Sequence, residues 1–229
     1  MLTQTITLTF LLFIGIFTNP NFKENTPAPV ASSDPIALIY DGLRGNTGAL
    51  PSKEVLTMAI QGWSKMKDNL KTKLLTVIDF SLPSTAKRMW IIDPEKGVIL
   101  LNSVVSHGRN SGELMAKSFS NQPESFKSSL GFYKTAETYS GKHGYSLRLD
   151  GLEKGFNDQA RSRAIVIHGA DYAREEFAAS VGRLGRSLGC PALPSELSAK
   201  AIDLIKDGSL LFIFGQDAGY LEKSSLIKA

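Results

Sequence analysis

Between Val55 and Leu70 the apolar positions Val55, Ala59, Trp63, Met66 and Leu70 recur at three- and four-residue spacing, a single stripe that predicts an amphipathic helix. Pro51-Ser52-Lys53-Glu54 supplies its start, with Ser52 as N-cap and an acid in the first turn, and helical character is expected over residues 35–72. From Leu74 onward the pattern shortens. Leu74–Phe80 is an apolar, β-branched run ended by Ser81-Leu82-Pro83-Ser84, and Arg88–Ile92 and Val98–Val105 flank the turn Asp93-Pro94-Glu95-Lys96-Gly97 as a hairpin. Leu130–Tyr133, Tyr145–Leu149, Ile165–His168 and Ser209–Phe214 read as further strands. Ser195–Lys206 returns to helical spacing through Leu197, Ala201, Ile202 and Ile205, with Ser195 as its expected cap. Many short strands with few helices predict a mainly β fold: a mixed sheet or sandwich with an N-terminal helical segment and peripheral helices.

The N-terminus follows a different pattern. Thr5 to Phe17 carries no charge, is shorter than the ~20 residues of a spanning helix, and suits a signal-peptide apolar region. Val30-Ala31-Ser32 is a tolerable cleavage site, and an uncleaved anchor is the alternative; with no cysteine nearby, a lipoprotein anchor is excluded. The expected organisation is a leader or anchor plus linker over 1–32, a helical segment over 33–73 and a catalytic domain over 74–229. Export is expected, with membrane contact only through the N-terminal segment.

Composition narrows the function classes. With 42% hydrophobic and 21% charged residues the chain has ordinary globular content. Its net charge of +4 comes from scattered Lys and Arg not interleaved with aromatics, which argues against nucleic acid and suits an anionic polymer or small carboxylates. No phosphate-cradling glycine loop leads into a helix, and no His-x-His or His-x-x-x-His spacing marks a metal site, so no cofactor and no metal are expected.

The chemistry centres on Cys190, the only cysteine, within Gly182-Arg183-Leu184-Gly185-Arg186-Ser187-Leu188-Gly189-Cys190-Pro191. His168 closes the apolar run Ala164-Ile165-Val166-Ile167. A lone thiol behaves most often as a small buried hydrophobe; beside an imidazole it is a nucleophile with a base. Attack on a carbonyl then needs oxyanion donors, for which the Gly189 and Cys190 amides are candidates, whereas Pro191 has no N–H. A backbone carbonyl within 187–189 is the simplest group to orient the imidazole. His107 and His143 also precede glycines in loops; His107 is expected to touch substrate, His143 less so. His168 is preferred as base because a strand end holds an imidazole more firmly than a loop.

His168-Gly169 followed by Ser187-Leu188-Gly189-Cys190 resembles the signature of the L,D-transpeptidase (YkuD-like) catalytic domain. Val104–Gly112, Ser129-Leu130-Gly131-Phe132-Tyr133 and Gly141-Lys142-His143-Gly144 extend the resemblance to the murein L,D-transpeptidase branch, over roughly residues 74–216. Leu188 and Ala192 depart from the residues usual at their positions. The resemblance implies a YkuD-type fold and acyl transfer on peptidoglycan stem peptides. Cys190 would form the thioester, with His168 as acid and base. Ser187 would order the loop, and Arg183 and Arg186 would pair with stem carboxylates. It further implies acylation by carbapenem-type inhibitors and a place in the periplasm or cell envelope. A cysteine amidase or carboxypeptidase on the same stems, or a degenerate wall-binding module, are the alternatives.

Overall fold

Residues 35–43 and 49–228 are described by a computed structural model, and they fall within one unit, Ser32–Ala229. The apolar run Thr5–Phe17, the linker and the cleavage site lie outside the described residues. Among the described residues no helix is long and apolar enough to cross a membrane.

Two helices open this unit, α1 (Pro35–Leu43) and α2 (Lys53–Met66). The Ser52 hydroxyl accepts the Val55 N–H at 3.2 Å, which caps α2 as its sequence predicts. Val55, Leu56, Ala59, Ile60 and Trp63 form its buried face. Gly62 lies on the same face, and a Cβ there would stand 2.1 Å from the Phe132 ring, so the α2 backbone rests directly on the sheet.

The strands are β1 (Leu75–Asp79), β2 (Met89–Asp93), β3 (Val98–Ser103), β4 (Gly131–Gly141), β5 (Gly144–Gly151), β6 (Val166–Gly169), β7 (Ala192–Leu193) and β8 (Leu210–Phe214). They build one mixed sheet in the order β3-β2-β1-β8-β4-β5-β6-β7. At its centre β1 pairs parallel with β8, and both are buried throughout; β8 therefore reads as an unbroken apolar run, whereas β1 buries Thr76 and Asp79 among its apolar residues. Phe132 stacks on Phe212 at 4.4 Å between centroids; each such buried side chain contributes about 1.5–3 kcal/mol. The remaining helices are α3 (Glu175–Val181), α4 (Ser195–Ile205) and α5 (Ala218–Lys223). Pro194, not Ser195, occupies the N-cap of α4, and the Ser195 hydroxyl donates instead to Asp171 at 2.8 Å.

Two features place the site. First, the chain leaving β3 crosses to the opposite edge: Ser106 bridges Ala192 and Gly108 bridges Ser187. The sheet thereby becomes nearly barrel-like and its β7 edge is covered. Second, β4 runs well past Tyr133, to Gly141. Its distal half is polar and only partly buried, so no apolar run announces it. A register shift between Thr135 and Thr138 bends this hairpin, whose tip is Gly141-Lys142-His143-Gly144.

Candidate active site

The segment 185–192 is held from both sides before it presents Cys190. Ser187 N–H donates to His107 O at 3.0 Å, Arg109 N–H donates to Ser187 O at 2.8 Å, and the Ser106 hydroxyl donates to Gly185 O at 2.8 Å. On the other side the Ser128 hydroxyl accepts the Gly108 N–H at 3.0 Å and donates to Gly189 O at 3.2 Å. Within the turn the Ser187 hydroxyl donates to Cys190 O at 2.6 Å and accepts the Gly189 N–H at 3.0 Å. Gly189 has φ +128, and a Cβ there would lie 3.0 Å from both Ile165 Cδ1 and Lys127 O. Only glycine fits that backbone without displacing its neighbours.

These bonds revise two expectations. The Gly189 amide is taken by Ser187, so of the two candidate oxyanion donors the Cys190 N–H is the one left. Ser187 lines the Cys190 cleft but is buried, and both bonds of its hydroxyl are spent within the turn, on Cys190 O and the Gly189 N–H.

The Cys190 sulfur lies 3.5 Å from the Val166 N–H and 3.7 Å from Ala164 O. Ala164 is held at φ +54, a left-handed conformation costly for a residue with a side chain, and its carbonyl meets the thiol. Burial pushes the Cys190 thiol up; the Val166 N–H and the Arg163 charge act in the opposite direction. The thiol is therefore protonated at rest.

His168 sits on β6, opposite Ser146 of β5 and Ala192 of β7, so the register fixes its backbone two residues from the Cys190 turn. Its Nδ1 donates to Gly169 O at 2.9 Å. A carbonyl only accepts, so Nδ1 carries the proton and Nε2 keeps its lone pair. The orienting carbonyl is thus Gly169 O and not one within 187–189. Burial holds His168 below its ordinary value, the Gly169 bond opposes this, and the neighbouring His143 adds to it. Neutral imidazole and neutral thiol face one cleft.

That cleft, of about 430 Å³, is lined by Cys190, His168, His143, Lys142, Arg163 and Arg186 among others, and by no Asp or Glu. Arg186 reaches it while its Nη1 binds Glu113 Oε1 at 2.6 Å; Arg183 pairs with the same carboxylate at 2.9 Å and does not line the cleft. Glu113, not a stem carboxylate, is the partner of Arg183. Arg163 directs Nη1 to Ser120 O at 2.8 Å and Nη2 to Lys127 O at 2.7 Å, tying the 120–127 segment to the cleft wall.

His107 corrects another expectation. It is fully buried: Arg88 Nη2 donates to its Nδ1 at 2.8 Å, and its Nε2 donates to Gly112 O at 3.2 Å. Burial and the Arg88 charge push its pKa down to about 4. It braces the segment beside Ser187, and it is not among the residues that line the cleft of Cys190 and His168. His143, weighed as the lesser candidate, is instead the ring that lines the cleft, stacked on His168 with centroids 4.5 Å apart and planes 27° from parallel. The paired glycines of Gly141-Lys142-His143-Gly144 were the sequence signal for that hairpin tip; nothing local signalled where the tip would lie. Among the described residues no group of three or more His, Cys, Asp and Glu side chains is placed to hold a metal ion.

A family model described as the L,D-transpeptidase catalytic domain matches residues 49–214. The chain belongs to this family. The matched stretch begins ahead of α2 and so takes in that helix. Similar solved structures include an L,D-transpeptidase from Mycobacterium smegmatis, at 15% identity and TM-score 0.37 over 62% of this chain and 58% of that one. A second, from Xylanimonas cellulosilytica DSM 15894, has 12% identity and TM-score 0.36 over 78% of this chain and 92% of that one. A third is an L,D-transpeptidase in complex with imipenem, at 14% identity and TM-score 0.38 over 62% and 58%. The chain spans about three-fifths of the length of the first of these. No curated protein matches it.

Proposed function

We propose that this L,D-transpeptidase domain transfers acyl groups between peptidoglycan stem peptides through a thioester on Cys190, outside the cytoplasmic membrane. The observation that carries the reading is the shared cleft: a thiol and an imidazole with an open Nε2 meet where the charged side chains of the lining, Lys142, Arg163 and Arg186, are all cationic. Such a lining suits the carboxylates of murein stems. Family membership supports the same substrate class.

In the first half-reaction Nε2 of His168 takes the thiol proton as Sγ bonds to the carbonyl carbon of the third stem residue. The Cys190 N–H donates to the oxyanion. The C–N bond to the terminal D-amino acid then breaks, and its nitrogen leaves with the proton from His168. In the second, an amine from a neighbouring stem attacks the thioester and gives its proton to His168. The C–S bond breaks, and the departing thiolate, held by the Val166 N–H, recovers the proton. The product is a 3→3 cross-link.

The test is mass spectrometry of purified muropeptides incubated with the protein. A cross-linked dimer with released D-amino acid is expected. Trimmed monomers alone would make the domain a cysteine carboxypeptidase or amidase, and unchanged muropeptides would leave a wall-binding module.

A further inference from the structure

We propose that His143 is a positioning residue for the base: its ring, laid against the face of His168, sets the plane in which Nε2 meets the thiol. The inference rests on the acyl-transfer reading above.

One hydrogen bond, from Nδ1 to Gly169 O, fixes the tautomer of His168 but acts at one corner of the ring. A ring held at one corner can still tilt about its bond to Cβ. Tilt moves Nε2, the atom that must receive the proton, and proton transfer tolerates little displacement. The stacked His143 ring at 4.5 Å covers a face of His168, which is only 2% exposed even though it lines an open cleft. His143 itself is exposed, so its contact is directed at His168 and is no part of the core.

The hairpin tip that carries His143 is braced on both flanks. Ser140 pairs with Tyr145 and Gly141 with Gly144, and Gly144 at φ +71 closes the turn. The Tyr145 hydroxyl donates to Asp203 of α4 at 2.9 Å, and the Arg148 guanidinium lies 4.4 Å from the Tyr139 ring centroid. A tip tied to α4 in this way delivers its ring to a fixed place. What the geometry requires of position 143 is therefore a flat ring; its nitrogens have no hydrogen-bonding part in this role.

The experiment measures acylation of Cys190 by a carbapenem in the full chain, following the mass adduct and resolving the maximal rate constant from the apparent affinity. Wild type, His143→Ala and His143→Phe are compared. In His143→Ala the maximal rate constant is expected to fall about 10- to 100-fold with affinity nearly unchanged, the scale of a misaligned catalytic group. His143→Phe, which keeps a stacking ring and loses both nitrogens, is expected to recover to within about threefold of wild type. Unaltered thermal unfolding of both variants would accompany this, because the side chain is exposed. A His143→Ala protein as fast as wild type overturns the inference, and so does a His143→Phe protein as slow as His143→Ala. In both of those cases the wild type reacts and the acyl-transfer reading stands. A wild type that never forms the adduct overturns both.

Discussion

All three histidines of this chain precede a glycine, and two of those dipeptides came to rest in opposite surroundings. His107-Gly108 lies in the floor beneath the Cys190 turn, buried, with both ring nitrogens of His107 bonded and the centroid of the Phe80 ring 5.9 Å away in a T-shaped contact. His143-Gly144 lies on the rim, exposed on one side and stacked on His168 on the other. The floor histidine is kept neutral near pH 7 by burial and by a buried cation: Arg88 donates to it, to Val105 O and to Leu82 O, and burial brings the pKa of Arg88 itself down to about 9. The rim histidine is fixed by nothing but a hairpin and a ring face. Floor and rim thus divide the work. The buried network holds the backbone that carries Cys190, and the exposed tip meets His168, the proposed base.

Removing the chemistry at the rim should have the largest effect. Cys190→Ala is expected to abolish both muropeptide turnover and the carbapenem mass adduct while leaving the unfolding midpoint close to that of wild type. Residual turnover in that variant would remove the thioester from the mechanism. His168→Ala is expected to slow acylation by about 10²–10⁴-fold, the usual worth of a positioned acid–base group. Single-turnover mass spectrometry reads that ratio, and a loss below about tenfold would mean that another group serves as base.

The floor should respond in stability and not in chemistry. His107 titrates at 6.5 in the unfolded chain and at about 4 in the folded one. Between those values the unfolded chain binds the extra proton. Its contribution is therefore whole above pH 6.5 and is lost as pH falls towards 4, on the order of 3 kcal/mol in all. Denaturant titrations at pH 7 and pH 4.5 should show wild type losing more stability than His107→Ala. That variant should already be destabilised by about 2–4 kcal/mol at pH 7, having opened a cavity and left an Arg88 donor unpaired. Equal acid sensitivity of the two proteins would remove His107 from the floor's role. The smallest effect is expected at the rim's Lys142, an exposed cation of the cleft with no carboxylate beside it in the lining. Lys142→Ala should raise KM for stems with a free terminal carboxylate by about threefold to tenfold and leave kcat unchanged, in keeping with the modest worth of exposed ion pairs. An equal change for the C-terminally amidated stem would show that Lys142 does not read the carboxylate.

Most of the fold was legible along the chain. Ser52 and the stripe from Val55 to Trp63 specify α2, and the mostly apolar run of β1 and the unbroken one of β8 mark the sheet's centre, because capping and burial periodicity are local properties. Less legible was the distal half of β4, whose residues from Lys134 to Ser140 mix polar and apolar side chains at buried, half-buried and exposed positions and so carry no strand signature. Ser195 was a reasonable cap by type, yet a backbone that turns at Pro194 left its hydroxyl to Asp171.

At the site the division is sharper. By itself the sequence determined that one thiol sits in a glycine-bearing turn and that one histidine ends an apolar strand; both statements concern neighbours in the chain. Only the tertiary structure decided which groups remained available there. Ser187 claimed the Gly189 amide, Glu113 claimed Arg183, Arg88 claimed His107, and the hairpin tip brought His143 across to His168. A donor, an acceptor or a ring face is free or taken according to what lies within about 3 to 5 Å of it. Except for Ser187 and Gly189, these partners lie some 19 to 70 residues apart in the chain, where no local pattern records them.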